Sequence, residues 1–188
     1  MPGKRLLHLA THGFFLGGDC DSSSDGTRGF TVVTEPEPSS IEGVNPLLLS
    51  GLALAGANHR RLAGAGEDDG VLTAEEIAGL DLTGVEWAVL SACDTGVGEV
   101  YAGEGVFGLR RAIQLAGVRT MIMSLWPVDD EATRKWMLAL YEGRWLEGLD
   151  TSEAVHSASL RLIRERKDAG LSTHPFYWAA FVAAGDWR

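Results

Sequence analysis

An α/β fold, with a mostly parallel sheet and helices on both faces, is predicted for the 188-residue chain by three observations. First, short apolar runs at Arg5–Ala10, Glu86–Ala92 and Arg119–Trp126 show no polar alternation, as strands covered on both faces require. Second, Gly105–Ala116, the stretch that begins at Asp129, and Thr151–Arg166 carry helical apolar spacing and interleave with those runs. Strand, loop and helix in repeated order imply crossovers between parallel strands. Third, a hydrophobic content of 45% over this length suffices for one core, so residues 1–188 are read as a single domain.

The elements follow in order. Arg5–Ala10 leads straight into Thr11-His12-Gly13, a buried strand ending in a tight loop, with His12 at the strand's carboxyl end. Residues 16–45 are dominated by Gly, Asp, Ser, Thr, Pro and Glu and are read as a long irregular insertion with one short strand at Phe30–Thr34. Pro46–Leu54 is apolar and of open type, and a Gly-rich loop extends from Asn58 to Gly70. Thr73-Ala74-Glu75-Glu76 has the capping-box spacing and starts a short helix running to about Ala78. Beyond the Glu86–Ala92 strand come Cys93, a polar loop to Ala102, and a helix that stops before Gly117. Pro127 ends the next strand, and Asp129-Asp130-Glu131 opens a helix with acids where its dipole favours them. After the Thr151–Arg166 helix, His174-Pro175 breaks the chain and Trp178–Ala184 supplies a last strand.

Composition narrows the function classes. The formal charge is −10, and Arg110, Arg111, Arg161, Arg164, Arg166 and Lys167 lie among acidic residues on amphipathic helices, so no nucleic-acid footprint is expected. No apolar stretch approaches the roughly 20 residues of a membrane span, and the first residues lack a signal-peptide core, so no membrane partner is expected. Cys20 and Cys93 sit in unlike contexts, one in a polar loop and one after an apolar run, which fits unpaired thiols in a reducing, cytoplasmic setting.

Catalytic groups in open parallel sheets collect beyond the carboxyl ends of strands, where loops converge. His12 and Cys93 both follow such ends. A thiol nucleophile needs a base near neutral pH, and imidazole is that base, so the two form a candidate catalytic dyad. Gly13 leaves the backbone open to a close substrate, and its N–H with that of Cys93 suits an oxyanion. Neither residue is persuasive alone, since a His-Gly pair is near chance in so Gly-rich a chain and an isolated Cys often simply packs. His8 precedes His12 by four residues, a spacing that separates the two on a strand, and no Glu follows it. That excludes a zincin helix; His8 is assigned to the core, and neither a metal nor an organic cofactor is expected.

His8-Leu9-Ala10-Thr11-His12-Gly13, Leu90-Ser91-Ala92-Cys93-Asp94-Thr95-Gly96, Gly103-Glu104-Gly105 and Ser124-Leu125-Trp126-Pro127-Val128-Asp129-Asp130 closely resemble, in order, the motifs of the CHAT domain family, which groups with caspases and separase. The resemblance extends through Pro46–Asn58, Leu72–Ile77 and the closing His174–Phe181. It implies a three-layer caspase-like fold. It also implies a cysteine endopeptidase in which His12 is the catalytic His and Cys93 the nucleophile, acting through an acyl-enzyme on protein or peptide substrates. Trp126–Asp130 is similar to a separase stretch whose acid receives a basic substrate side chain, which makes Asp130, then Asp129, candidates for binding Arg or Lys at P1. Members of the family carry strand-helix units ahead of the His-bearing strand. The chain is accordingly expected to be incomplete at its amino end, with one sheet edge uncovered. Repeats of the TPR type, often fused to such domains, are implied as regulatory partners.

Two other functions compete. A catalytically silent CHAT-like interaction module would retain the dyad without assembling it. A dinucleotide site is suggested by Gly103-Glu104-Gly105-Val106-Phe107-Gly108 with Asp129 about twenty residues on. Against it, a loop from Cys93 to Ala102 separates these glycines from the strand, so the helix start is displaced from where a pyrophosphate needs it.

Overall fold

A computed structural model describes residues 5–15, 45–64, 66–91 and 108–186. The insertion up to residue 44, Cys20, Cys93 with its loop, and Gly103–Phe107 lie outside the described residues.

Among the described residues a four-stranded sheet runs in the order β1 (Leu6–Leu9), β5 (Trp87–Leu90), β6 (Thr120–Ser124), β7 (Phe181–Gly185). β1, β5 and β6 are parallel, with Leu9 opposite Leu90 and Leu90 opposite Met123; β7 is antiparallel to β6. Alternation explains the unbroken apolar runs. Ala88, Leu90, Met121 and Met123 face one core with Ala74 and Ile77 of α1 (Ala74–Ala78) and Leu109, Ala112 and Ile113 of α2 (Gly108–Leu115). Trp87, Val89 and Ile122 face a second core with Trp136, Met137 and Leu140 of α3 (Asp130–Trp145) and Ala154, Ala158 and Leu162 of α4 (Thr151–Asp168). Both faces of β5 and β6 are therefore dry, and helices cover both sides.

Local chemistry sets the helix ends. Thr73 caps α1 through Glu76 N, and the Glu76 carboxylate accepts the Thr73 N–H, closing the capping box expected there. Gly117, at φ 103°, follows α2 in the left-handed conformation that ends helices. Asp129 caps α3 by accepting the Ala132 N–H at 2.9 Å. α4 begins at Thr151, as predicted, with Asp150 as its cap; Thr151 is buried, its Oγ1 accepting the Trp87 indole N–H at 3.1 Å.

The structure adds two features to the predicted architecture and corrects one. The sheet is mostly parallel, as predicted, and its last strand, β7, runs antiparallel to β6. One crossover helix returns a chain to the end where its strand began, whereas the α3–α4 hairpin, joined by a short loop, returns it to the opposite end. Pro46–Leu54 and Val71–Thr73 build a second, antiparallel sheet: β2 (His12–Phe15), β3 (Ser50–Ala53) and β4 (Val71–Thr73), with a 3-10 turn at Pro46–Leu48. His12 consequently does not close a strand in a tight loop. It opens β2, opposite Ala53, after a two-residue break from β1. Gly51 makes that sheet possible, because a Cβ there would stand 2.5 Å from the Leu72 carbonyl oxygen and 2.8 Å from the Phe14 ring.

Candidate functional site

β1 and β5 pair in parallel up to Leu9 and Leu90, and the Ser91 N–H extends the ladder by donating to the Leu9 carbonyl at 3.1 Å. In sequence, His12 follows Leu9 by three residues and Cys93 follows Leu90 by three. β6 lies on the other side of β5, and beyond its carboxyl end come Asp129 and Asp130. All four candidate side chains thus belong to segments that leave one edge of three adjacent parallel strands, where substrates of such sheets bind.

His12 is exposed and Gly13 is half-buried opposite Leu52. The Thr11 hydroxyl donates to the Ala53 carbonyl, fixing the chain one residue before His12 onto β3. Cys93 lies outside the described residues, so the structure gives no His12–Cys93 geometry.

Both acids are exposed: Asp129 caps α3, its Oδ1 accepting the Ala132 N–H, and Asp130 lies in the first turn of the helix. The turn ahead of them is anchored by the Trp126 indole, which donates to the Phe176 carbonyl at 3.0 Å. Asp129 is also the acid that a dinucleotide pattern would direct at a ribose, and its capping bond competes with that use. Among the described residues no group of three or more His, Cys, Asp or Glu side chains is arranged to hold a metal ion. No helix among them is long and apolar enough to cross a membrane.

The core role expected for His8 is not what the structure shows. β1 is an edge strand with no partner on its outer side among the described residues, so His8 is open to solvent on one side. Its Nε2 lies 3.1 Å from Ser91 Oγ and its Nδ1 2.7 Å from Tyr141 Oη on α3. The two rings meet at 5.8 Å between centroids. Partial burial holds the His8 pKa below its ordinary 6.5 and pushes the Tyr141 phenol up to about 12, so both are neutral at pH 7. Sequence reasoning missed Ser91 and Tyr141. Strand parity puts Ser91 on the same face as Val89, the residue paired with His8, and was the available signal; Tyr141 had none.

A pH dependence follows from the lowered His8 pKa. The unfolded chain takes up a proton near pH 6.5 that the folded chain resists, so this contribution to stability is present above 6.5 and is lost as pH falls through the lower folded value. Urea melts at about pH 7.5 and about pH 5 are expected to show a larger loss for the parent than for His8→Gln. Equal losses would refute it.

The family model of the CHAT domain matches residues 1–186. Tetratricopeptide repeat protein 28 of Homo sapiens is 33% identical over 115 residues, which are 61% of this chain and 4% of that protein. Its Mus musculus counterpart is 32% identical over 115 residues, again 61% of the chain and 4% of that protein. The chain therefore spans only about 4% of the length of these relatives. With the model covering nearly every residue, including both strands that precede the candidate dyad, the chain belongs to the CHAT domain family.

Proposed function

We propose that the domain is a cysteine endopeptidase of caspase-like architecture. The observation that carries this reading is the register of β1 on β5, which sets Leu9 opposite Leu90; in sequence His12 and Cys93 each follow these paired residues by three. In the mechanism His12 takes the Cys93 thiol proton and the thiolate attacks the peptide carbonyl. The N–H groups of Gly13 and Cys93 hold the oxyanion, His12 returns the proton to the leaving amine, and water releases the acyl-enzyme. Asp130 binds an Arg or Lys at P1. Because it lies at the positive end of the α3 dipole, its carboxylate must outweigh a field that opposes a cation, so a single lost charge there removes the preference.

A second reading, a catalytically silent module that binds other proteins, including TPR-type partners, is supported by a different surface. β1 offers an unpaired edge among the described residues, and Leu138 and Trp145 on α3 are 54% and 51% exposed.

One experiment separates them: labelling of the chain with a peptidyl ketone electrophile bearing Arg at P1, with Cys20 as internal control. The peptidase reading expects labelling confined to Cys93, abolished by His12→Ala and reduced about 10- to 100-fold by Asp130→Asn, with no such loss for a probe bearing Leu. Equal labelling of Cys93 and Cys20 would favour the binding module. An Arg preference that survives Asp130→Asn removes the P1 assignment alone.

A further inference from the structure

We propose that Tyr141, acting through His8 and Ser91, is a positioning residue for the reaction, and this rests on the peptidase reading above. Three elements converge on the His8 ring: β1, which carries it; the chain leaving β5, which presents Ser91 Oγ at 3.1 Å from Nε2; and α3, which presents Tyr141 Oη at 2.7 Å from Nδ1. The bonds occur where the ladder ends. Leu9 and Leu90 are the last paired residues, and beyond them Ser91 is held to β1 twice, through its N–H on the Leu9 carbonyl and through its hydroxyl on His8. Two residues after Ser91 comes Cys93, and four after His8 comes His12. The spacing between the two exits is thus set by one side-chain bond and one main-chain bond.

Tyr141 decides how that bond is made. Imidazole that is neutral carries one N–H, so whichever role Nδ1 takes toward the phenol assigns the opposite role to Nε2 toward the Ser91 hydroxyl. Phenol contact also fixes the ring plane, since the ring otherwise faces solvent on the sheet edge. The three polar groups therefore share one chain of donors and acceptors that ties α3 to both exits. His8 and Ser91 belong to neither buried core; the half-buried Tyr141 ring packs against the second one, and Tyr141→Phe keeps that ring, so the contribution of the hydroxyl-imidazole chain is to placement more than to folding.

The test is the ratio of iodoacetamide alkylation rates at Cys93 and Cys20, read by mass spectrometry in the 188-residue chain, together with kcat and KM on an arginyl peptide substrate. Tyr141→Phe and Ser91→Ala are expected to lower kcat and the Cys93 to Cys20 ratio roughly tenfold to a hundredfold with KM and thermal midpoint little changed, because small misplacement of reacting groups acts on rate. Ser91→Thr, which keeps a hydroxyl, restores most of both. Should His12→Ala abolish the excess reactivity of Cys93 while Tyr141→Phe and Ser91→Ala leave it at the parent value, positioning is overturned and the dyad stands. A drop in thermal midpoint that Ser91→Thr fails to rescue, with matching loss of activity, marks the bonds as merely structural and also overturns it. Parent Cys93 no faster than Cys20 removes the peptidase reading, and this inference with it.

Discussion

His12→Ala is expected to lower kcat/KM for an arginyl peptide by about 10²- to 10⁴-fold, the range a positioned general base contributes. The fold should survive intact. His12 is exposed, belongs to neither core, and occupies one position of a short strand whose attachment to β3 also rests on the Thr11 hydroxyl and on the pairs Gly13–Leu52 and Phe14–Gly51. Steady-state hydrolysis alongside urea denaturation distinguishes the two effects: activity should collapse while the urea midpoint moves little. Raising pH should recover part of the loss, because hydroxide generates the Cys93 thiolate that the missing imidazole no longer supplies. A His12→Ala variant that retains parent activity across the pH range would remove His12 from the mechanism, whatever Cys93 does.

The fold was legible where local and tertiary signals agreed. β5 is apolar throughout and β6 through its Met121–Met123 centre because both of their faces are buried, and runs of that kind read as parallel strands from sequence. The cap at Thr73 is visible for a similar reason, since a side chain three residues from the N–H it accepts leaves a signature in the sequence itself, and the acids at 129–131 mark the start of α3. The second sheet was not legible. β2 and β4 are short, β3 carries Gly51, a weak strand former, and their pairing spans residues far apart in the chain, so nothing local announces it. β7 reads as a strand, but its direction depends on the α3–α4 hairpin ahead of it, which periodicity reports only as two helices.

The candidate site divides along the same line. His12 and Cys93 were singled out by their place after apolar runs, and the β1–β5 register adds that those runs are neighbours in parallel, which no single-sequence pattern specifies. The two acids were named together because both suit the start of a helix. The structure distinguishes them by position: both are exposed, but Asp129 is the N-cap whose oxygen accepts the Ala132 N–H, while Asp130 is the first residue of α3. His8 was misjudged because the apolar residues around it suggest a buried strand, whereas β1 is an edge strand; its polar partners come from β5's exit and from α3, 83 and 133 residues away.

Trp136→Ala should produce the largest loss of stability, about 3–5 kcal/mol. The indole is 1% exposed at the meeting point of three elements: it lies on α3, stacks on Phe181 of β7 at 4.4 Å between centroids, and donates to Ser159 Oγ of α4 at 3.1 Å. Alanine removes the buried volume, the stacking and the hydrogen bond together, and the α3–α4 hairpin is too closely packed to collapse into the space. A Cβ added at Gly143 on α3 would already stand 3.6 Å from Ala154 on α4. Trp136→Phe separates the contributions. It keeps a ring for Phe181 and gives up the N–H, while Ser159 Oγ retains contacts to the Val155 and Trp178 carbonyls at 3.2 Å. That variant should therefore lose less than half as much. Urea denaturation at neutral pH reads both, with unchanged m-values expected if the unfolded state is unaffected. Because α3 carries Asp130 and Tyr141, folded Trp136→Phe should also keep the arginine preference of the parent. A Trp136→Ala chain within about 1 kcal/mol of the parent would mean that this side of the sheet is held by contacts other than the indole's.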